Sequence, residues 1–338
     1  MPNEMPVRIG LLGTARIAKM ALLSPARQHS RVEVAAVASR SEEKARQYAQ
    51  ANRIPRSFAS YQALLDDPEI EVIYNPLPNH LHAEWSIKAL QAGKHVLCEK
   101  PIASNAEEAR AMQVAATQSG RQLIEAFHFR YHPLAARLQQ IVTSGELGTI
   151  QHLEAKFCVF IPGKKKDIRF AYATGGGACM DVGCYAVNVC RFLAGSEPVV
   201  ASASARLIQP EVDQWMTSEL QFPGGVSASV TVSLRSQIWN WRAFVEVTGE
   251  RGTLTVLNPF LPQFFHRITV QTTAGRRRET VSRQPSSYAC QLAALVDSLR
   301  GGAVMPTDAS DGIKNMTTID AIYSAAGLRR RGEPLGDS

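Results

Sequence analysis

Lys100, Asp181 and Tyr185 are the side chains of this sequence best suited to handle charge and protons. Lys100 stands in Glu99-Lys100-Pro101, directly after the apolar run His95 to Cys98. An ammonium beside a substrate oxygen stabilises a developing alkoxide when hydride reaches a carbonyl, and lowers the hydroxyl pKa in the reverse direction. Lysine suits that task as a compact charge whose pKa shifts readily. Asp181 and Tyr185 lie four apart in the segment from Gly175-Gly176-Gly177 to Asn188, a spacing that stacks them on one helix face. A phenol with a free pKa near ~10 can pass a proton to an alkoxide when an ammonium lowers that value. Asp181 is expected to orient Lys100 or to bind a substrate hydroxyl. Taken singly, a lysine before a turn proline and an Asp/Tyr helix pair are ordinary features.

The elements around these residues point to two kinds of sheet. Up to about residue 130, apolar runs (Val7 to Leu12, Val32 to Ala38, Ile70 to Tyr74, His95 to Cys98, Gln122 to Ala126) alternate with helical stretches such as His82 to Ala92 and Ala106 to Ser119. Gly93 and Gly120 follow those helices where C-cap glycines stand. This pattern implies a doubly wound parallel sheet covered on both faces. Beyond it, Thr149 to Phe160, Val226 to Leu234, Ala243 to Val247, Thr253 to Leu257 and Ile268 to Thr272 read as strands, several alternating strictly. A large, mainly antiparallel open sheet is expected there, with helices at Pro133 to Thr143, Ser287 to Leu299 and Ile313 to Ala326. The fold class is α/β, divided as residues 1–127 and 128–338.

Three loops at strand ends read as nucleotide contacts. Gly13-Thr14-Ala15-Arg16-Ile17 joins the first strand to the first helix, where a pyrophosphate would meet free N–H groups. Ala15 replaces the second glycine of the usual pattern. The second strand ends in Ser39-Arg40-Ser41, with Lys44 one turn on, where enzymes selecting NAD place a carboxylate. A hydroxyl and a guanidinium favour a phosphate instead, by about 1.5–3 kcal/mol, so NADP(H) is expected over NAD(H). Asn75-Pro76-Leu77-Pro78-Asn79-His80-Leu81-His82 ends the third run sharply, with Pro76, Leu77, Asn79 and His82 as further cofactor contacts.

Composition excludes several classes. Apolar residues make up 45 % and charged ones 20 % of 338, an ordinary globular balance. No run approaches the roughly 20 apolar residues of a membrane helix, and no signal peptide is apparent, so a cytoplasmic protein is expected. The six cysteines form no CxxC pair and read as buried free thiols. His80, His82, His128 and His132 lack acidic or cysteine partners at convincing spacing, so no metal is expected. The net charge of +7 gathers partly in Lys164–Lys166, Arg276–Arg278 and Arg329–Arg331, which read as solvated surface and not as a nucleic-acid face.

Together these elements resemble the glucose–fructose oxidoreductase/inositol dehydrogenase/rhizopine-catabolism (Gfo/Idh/MocA) family. The likeness rests on the glycine loop, Glu99-Lys100-Pro101, Glu125-Ala126-Phe127, Arg130-Tyr131-His132-Pro133 and Gly175 to Asn188. It implies a Rossmann domain, a C-terminal domain whose sheet serves oligomerisation as a homodimer or homotetramer, and a catalytic Lys100. Glu99, Lys100 and Arg130 join the expected cofactor contacts. Tyr185 stands where inositol-dehydrogenase-like members carry histidine, which resembles the glucose–fructose oxidoreductase and dihydrodiol/xylose dehydrogenase branch and implies Tyr185 as acid/base. The implied substrates are aldoses, diols or keto-sugars, with Phe127, Phe160, Arg169, Tyr172, Asp181 and Tyr185 as candidate walls. Sugar-to-sugar hydride transfer with retained NADP(H), and a non-catalytic NADPH sensor, stand as alternatives.

Overall fold

The computed structural model describes residues 5–162, 167–236 and 242–334, so the Lys164–Lys166 cluster lies outside the described residues. Two compact units result: residues 1–103, 107–131 and 286–313 form one, and residues 104–106, 132–285 and 314–338 the other. A single cut after residue 127 therefore misplaces Ser287–Leu299, which packs with the first unit. Its Ser287 meets His128 at 2.8 Å and its Tyr288 stacks on the same ring.

The first unit is built on β1 (Val7–Leu12), β2 (Val32–Ala38), β3 (Arg56–Phe58), β4 (Val72–Asn75), β5 (His95–Cys98) and β6 (Leu123–Glu125). These six strands are parallel in the order β3-β2-β1-β4-β5-β6. β1, β4 and β5 are almost wholly buried, as strands covered on both faces must be. Strand order reverses between β1 and β4, and ligands of such sheets bind at the carboxyl ends beside that switch. Ser41 caps the helix Glu42–Asn52, and Gly93 and Gly120 end their helices at positive φ. After Gly13 the helix widens into a π turn over Lys19–Leu23. Pro25 follows at once; its ring crowds the carbonyl four residues back and it has no N–H to donate.

The second unit carries β7 (Ile150–Cys158), β8 (Val199–Gln209), β9 (Val212–Gln221), β10 (Ser227–Ser233), β11 (Arg242–Gly249), β12 (Gly252–Leu257), β13 (Arg267–Thr272) and β14 (Gly275–Glu279). Their order is β14-β13-β12-β11-β7-β10-β9-β8, antiparallel except that β10 runs parallel to β7. The helix holding Asp181 and Tyr185 begins as a π turn, Cys179–Gly183, and continues as an α-helix over Cys184–Ala194. The pair thus straddles a change of helix type. At Gly183 a Cβ would stand 3.2 Å from Cys179 Sγ, one turn back, and at an ordinary contact distance of 3.4 Å from Val232 of β10.

Candidate active site

Every strand of the parallel sheet that the sequence marks as functional delivers its loop to the same carboxyl edge. Gly13, directly after β1, has φ +73, and a Cβ there would meet Leu77 Cδ2 at 3.0 Å. Glycine is needed twice over, for the backbone angle and for the approach of the loop after β4. Gly10, by contrast, lies inside β1, where a Cβ would press on Leu64, Ile70 and Ile73 at 3.1 Å. It serves packing and not the nucleotide loop.

Next to Gly13 opens a cleft of about 470 Å³ lined by Thr14, Ser39, Arg40, Ser41, Lys44 and Tyr61. Two cations and three hydroxyl side chains other than Tyr61 converge on it, a donor set suited to a phosphate. Arg40 hydrogen-bonds the Tyr61 phenol, and Tyr61 sits edge-on against Trp85 at 4.9 Å. The sequence reading missed Tyr61; its only local signal is Ser60, which caps the short helix Tyr61–Leu65. Burial raises the Tyr61 pKa, so the phenol stays neutral. Ala15 and Arg16 continue the loop, with Arg16 exposed.

Glu99, Lys100 and Pro101 are fixed by three neighbours after β5. Tyr74 donates its hydroxyl to Glu99 Oε1 at 2.6 Å. His82 sets Nδ1 2.8 Å from the Pro101 carbonyl and Nε2 2.7 Å from that of Leu77. Glu125 Oε1 accepts the Ile102 N–H at 2.9 Å. His82 is 1 % exposed, so the sequence expectation of a cofactor contact gives way here to a clamp between two loops. Burial pulls its pKa down to about 4, outweighing the two carbonyls that favour the cation. Asn75 secures the same loop, donating to Ser86 and to the His82 carbonyl while accepting the Leu77 N–H. Arg130 lies 3.7 Å from Asp311.

In the second unit, Tyr185 is 8 % exposed, with Phe157 and Phe260 each at 5.7 Å between centroids. These two rings stack on each other at 4.6 Å, so the phenol stands on a fixed aromatic base. Asp181 interacts electrostatically with Arg169, which also binds Asp167 through Nε and Nη2 at 2.9 and 2.7 Å. Phe160 is 43 % exposed with the Arg235 guanidinium over its ring. Two expected walls are otherwise engaged. Tyr172 donates its hydroxyl to the carbonyls of Arg330 and Glu333, holding the chain after the last helix. Phe127, in the first unit, is fully buried against Phe129 and has no surface to offer.

The basic clusters also need correcting. Arg331 is fully buried and ion-paired to Asp213, and Arg277 binds Glu146 and Glu279. Neither is plain solvated surface. All six cysteines are free, five of them buried. Among the described residues there is no cluster of three or more His, Cys, Asp or Glu able to hold a metal ion. No helix among them is long and apolar enough to cross a membrane.

A parallel sheet with this strand order, a glycine turn at its switch point and a polar cleft beside it define a dinucleotide-binding fold. The chain belongs to the Gfo/Idh/MocA oxidoreductase family, whose NAD-binding Rossmann model matches residues 7–127 and whose C-terminal domain model matches residues 135–255. D-xylose 1-dehydrogenase (NADP(+)) 2 of Haloferax volcanii is 34 % identical over 94 % of this chain and 96 % of its own. Pig trans-1,2-dihydrobenzene-1,2-diol dehydrogenase is 34 % identical over 75 % of this chain and 73 % of its own. The solved structure of KijD10, a 3-ketoreductase from Actinomadura kijaniata in complex with NADP and TDP-benzene, superposes with a TM-score of 0.86. It is 27 % identical, covering 96 % of this chain and 98 % of that one.

Proposed function

We propose that this protein is an NADP(H)-dependent oxidoreductase acting on a sugar, a keto-sugar or a vicinal diol. The observation that carries this is the cleft lined by Gly13, Thr14, Ser39, Arg40, Ser41 and Lys44, on the sheet edge that also presents Lys100. Arg40, Lys44 and Ser39 would hold the phosphate that distinguishes NADP from NAD, where a carboxylate would repel it. Gly13, Thr14, Ala15, Arg16 and Ile17 would hold the pyrophosphate, and Pro76, Leu77, Asn79, Glu99 and Arg130 the remainder of the cofactor. The bound nicotinamide supplies or accepts hydride.

The chain's own groups handle the proton and the charge. Lys100 sets its ammonium beside the reacting oxygen and stabilises the alkoxide. Tyr185 takes the hydroxyl proton in oxidation and returns it in reduction. Asp181 accepts a hydrogen bond from a neighbouring substrate hydroxyl, with the Arg169 guanidinium interacting electrostatically with that carboxylate. The names of the relatives above, a xylose dehydrogenase, a diol dehydrogenase and a ketoreductase, support this substrate range.

The outer face of the eight-stranded sheet favours a second copy as partner. Arg206 and Arg242 lie on one outward row, across the buried Cys158 and Ser233, and Lys156 on the next, beside a row holding Glu154, Glu219 and Glu246. A two-fold axis through that face sets basic rows on acidic ones. Free thiols suit a reducing, cytoplasmic setting.

The function is tested by mixing the protein with NADP⁺ and a panel of aldoses and diols, or NADPH and keto-sugars, while following nicotinamide absorbance. Turnover with at least one class is expected. Cofactor that survives gel filtration without net turnover of added NADP⁺ would shift the reading to sugar-to-sugar transfer, and tight binding with no turnover to a sensor.

A further inference from the structure

A fully buried ion pair stands at the base of the helix that carries Asp181 and Tyr185. Asp213 belongs to β9, where strict alternation from Trp215 would turn it outward. An extra residue in β9 opposite Arg206 and Leu207 shifts the register there, and Asp213 turns inward. Its partner is Arg331, six residues beyond the last helix, Ala309–Ala325. Arg331 Nη2 donates to Asp213 Oδ1 at 2.9 Å, and both side chains are 0 % exposed. Tyr323 donates its hydroxyl to the same oxygen at 2.9 Å. The guanidinium also lies 4.0 Å from the Tyr323 ring and 5.1 Å from that of Tyr172.

Arg331 Nη1 donates to the Arg329 carbonyl at 3.1 Å, while Asp213 Oδ2 and Arg331 Nε act on one short turn. Asp213 Oδ2 accepts the Cys179 N–H at 2.7 Å, a backbone donor at the start of the helix. Arg331 Nε donates to the Gly176 carbonyl at 2.6 Å. Between them, Gly177 has φ +134, and any side chain there would collide with Asp213 Oδ1. The triple glycine is thus shaped from outside by the ion pair. Burial pushes the Asp213 carboxyl up from its usual range, and Arg331 and the Cys179 N–H oppose that. Replacing buried pairs of this kind with apolar residues is often neutral or stabilising, so stability alone does not account for one built around a single turn.

We propose that Asp213 and Arg331 are positioning residues, setting the Gly176–Cys179 turn so that Asp181 and Tyr185 are presented at fixed height and rotation. The chain beyond the last helix is then a working part of the substrate half. This rests on the assignment of Asp181 and Tyr185 above, and the test keeps the two separable.

The variants are Arg331→Met, Asp213→Asn, the double Asp213→Leu/Arg331→Met, and the mild Tyr323→Phe, all in the full-length protein. The single variants should lower kcat roughly ten- to hundredfold, the scale of an ångström's misplacement. Their Kd for NADP⁺, read by fluorescence titration, should stay within about twofold of wild type. Amide exchange across Cys179–Tyr185 should quicken, and the alkaline limb of the kcat–pH profile should move. The double variant should regain thermal stability without regaining kcat. Tyr323→Phe, which deletes one hydroxyl, should cost kcat about threefold and folds even if the others do not. Wild-type kcat, pH profile and exchange in either the double variant or Tyr323→Phe would overturn the proposal. Turnover unchanged in Tyr185→Phe would instead remove the assignment beneath it, and the exchange readout still reports on the turn.

Discussion

The two units hold their working residues by opposite means. In the first, the groups sit on loops at strand ends, and single buried side chains tie loop to loop: Tyr74 to Glu99, His82 to Pro101 and Leu77, Glu125 to Ile102. In the second, they ride on one helix whose start is gripped by a buried charge pair. Loops at the end of a parallel sheet are placed by the sheet, so small polar ties suffice to finish them. A helix lying on a sheet can slide or rotate, and a charged anchor at its end removes that freedom.

The contrast can be broken most severely at the groups proposed to react. Lys100→Ala should lower kcat/KM by about a thousandfold or more, with NADP⁺ binding changed far less; wild-type turnover would remove its catalytic role. Tyr185→Phe should cost about a hundredfold or more and abolish the limb of the pH profile that its phenol sets.

Acid separates the clamps from the anchor. His82 has a folded pKa of about 4 against an ordinary 6.5, so the native state favours the neutral ring. Its contribution is full above pH 6.5 and is lost as pH falls toward 4, worth about 3 kcal/mol over that window. Denaturant midpoints measured from pH 7 to 4 should fall for wild type and fall less steeply for His82→Gln. His132 in the second unit, also near 4, should leave a residual slope.

Smaller effects sharpen the cofactor side. Arg40→Ala should weaken NADP⁺ roughly ten- to hundredfold while barely touching NAD⁺, and equal losses would refute its role. Tyr61→Phe, which frees Arg40 from the phenol, should cost NADP⁺ only about threefold by titration calorimetry.

Much of the first unit was legible because its signals are local. Buried strands read as apolar runs, and the expected bounds of β2, β5 and the helix Ala106–Ser119 match those observed. β8 was not visible, since its Ala and Ser residues face largely outward and leave no apolar alternation. β14, Gly-Arg-Arg-Arg-Glu, reads as a charged run; pairing with β13 and contacts from Arg137 and Glu146 make it a strand. Asp213 and Arg331 could not be joined on paper. They are 118 residues apart, and a register shift that alternation does not show turns the aspartate inward. Tyr61 was hidden for a similar reason, because its meeting with Arg40 depends on the arrangement of β2, β3 and the helix after them.

The parallel pairing of β7 with β10 sets the order in which this protein can fold. β8–β9 and β11 through β14 are joined by short turns and can zip as hairpins. β7, at the centre of the sheet, must wait for partners that begin at Ser227 and Arg242. Long-range closure of that kind is slow. The helix bearing Tyr185 lies inside the closing loop, so the proposed acid/base comes into register only when the sheet's middle is joined. A nascent chain halted before β10 would lack both the joined middle of the sheet and Ser287–Leu299, the helix that completes the first unit.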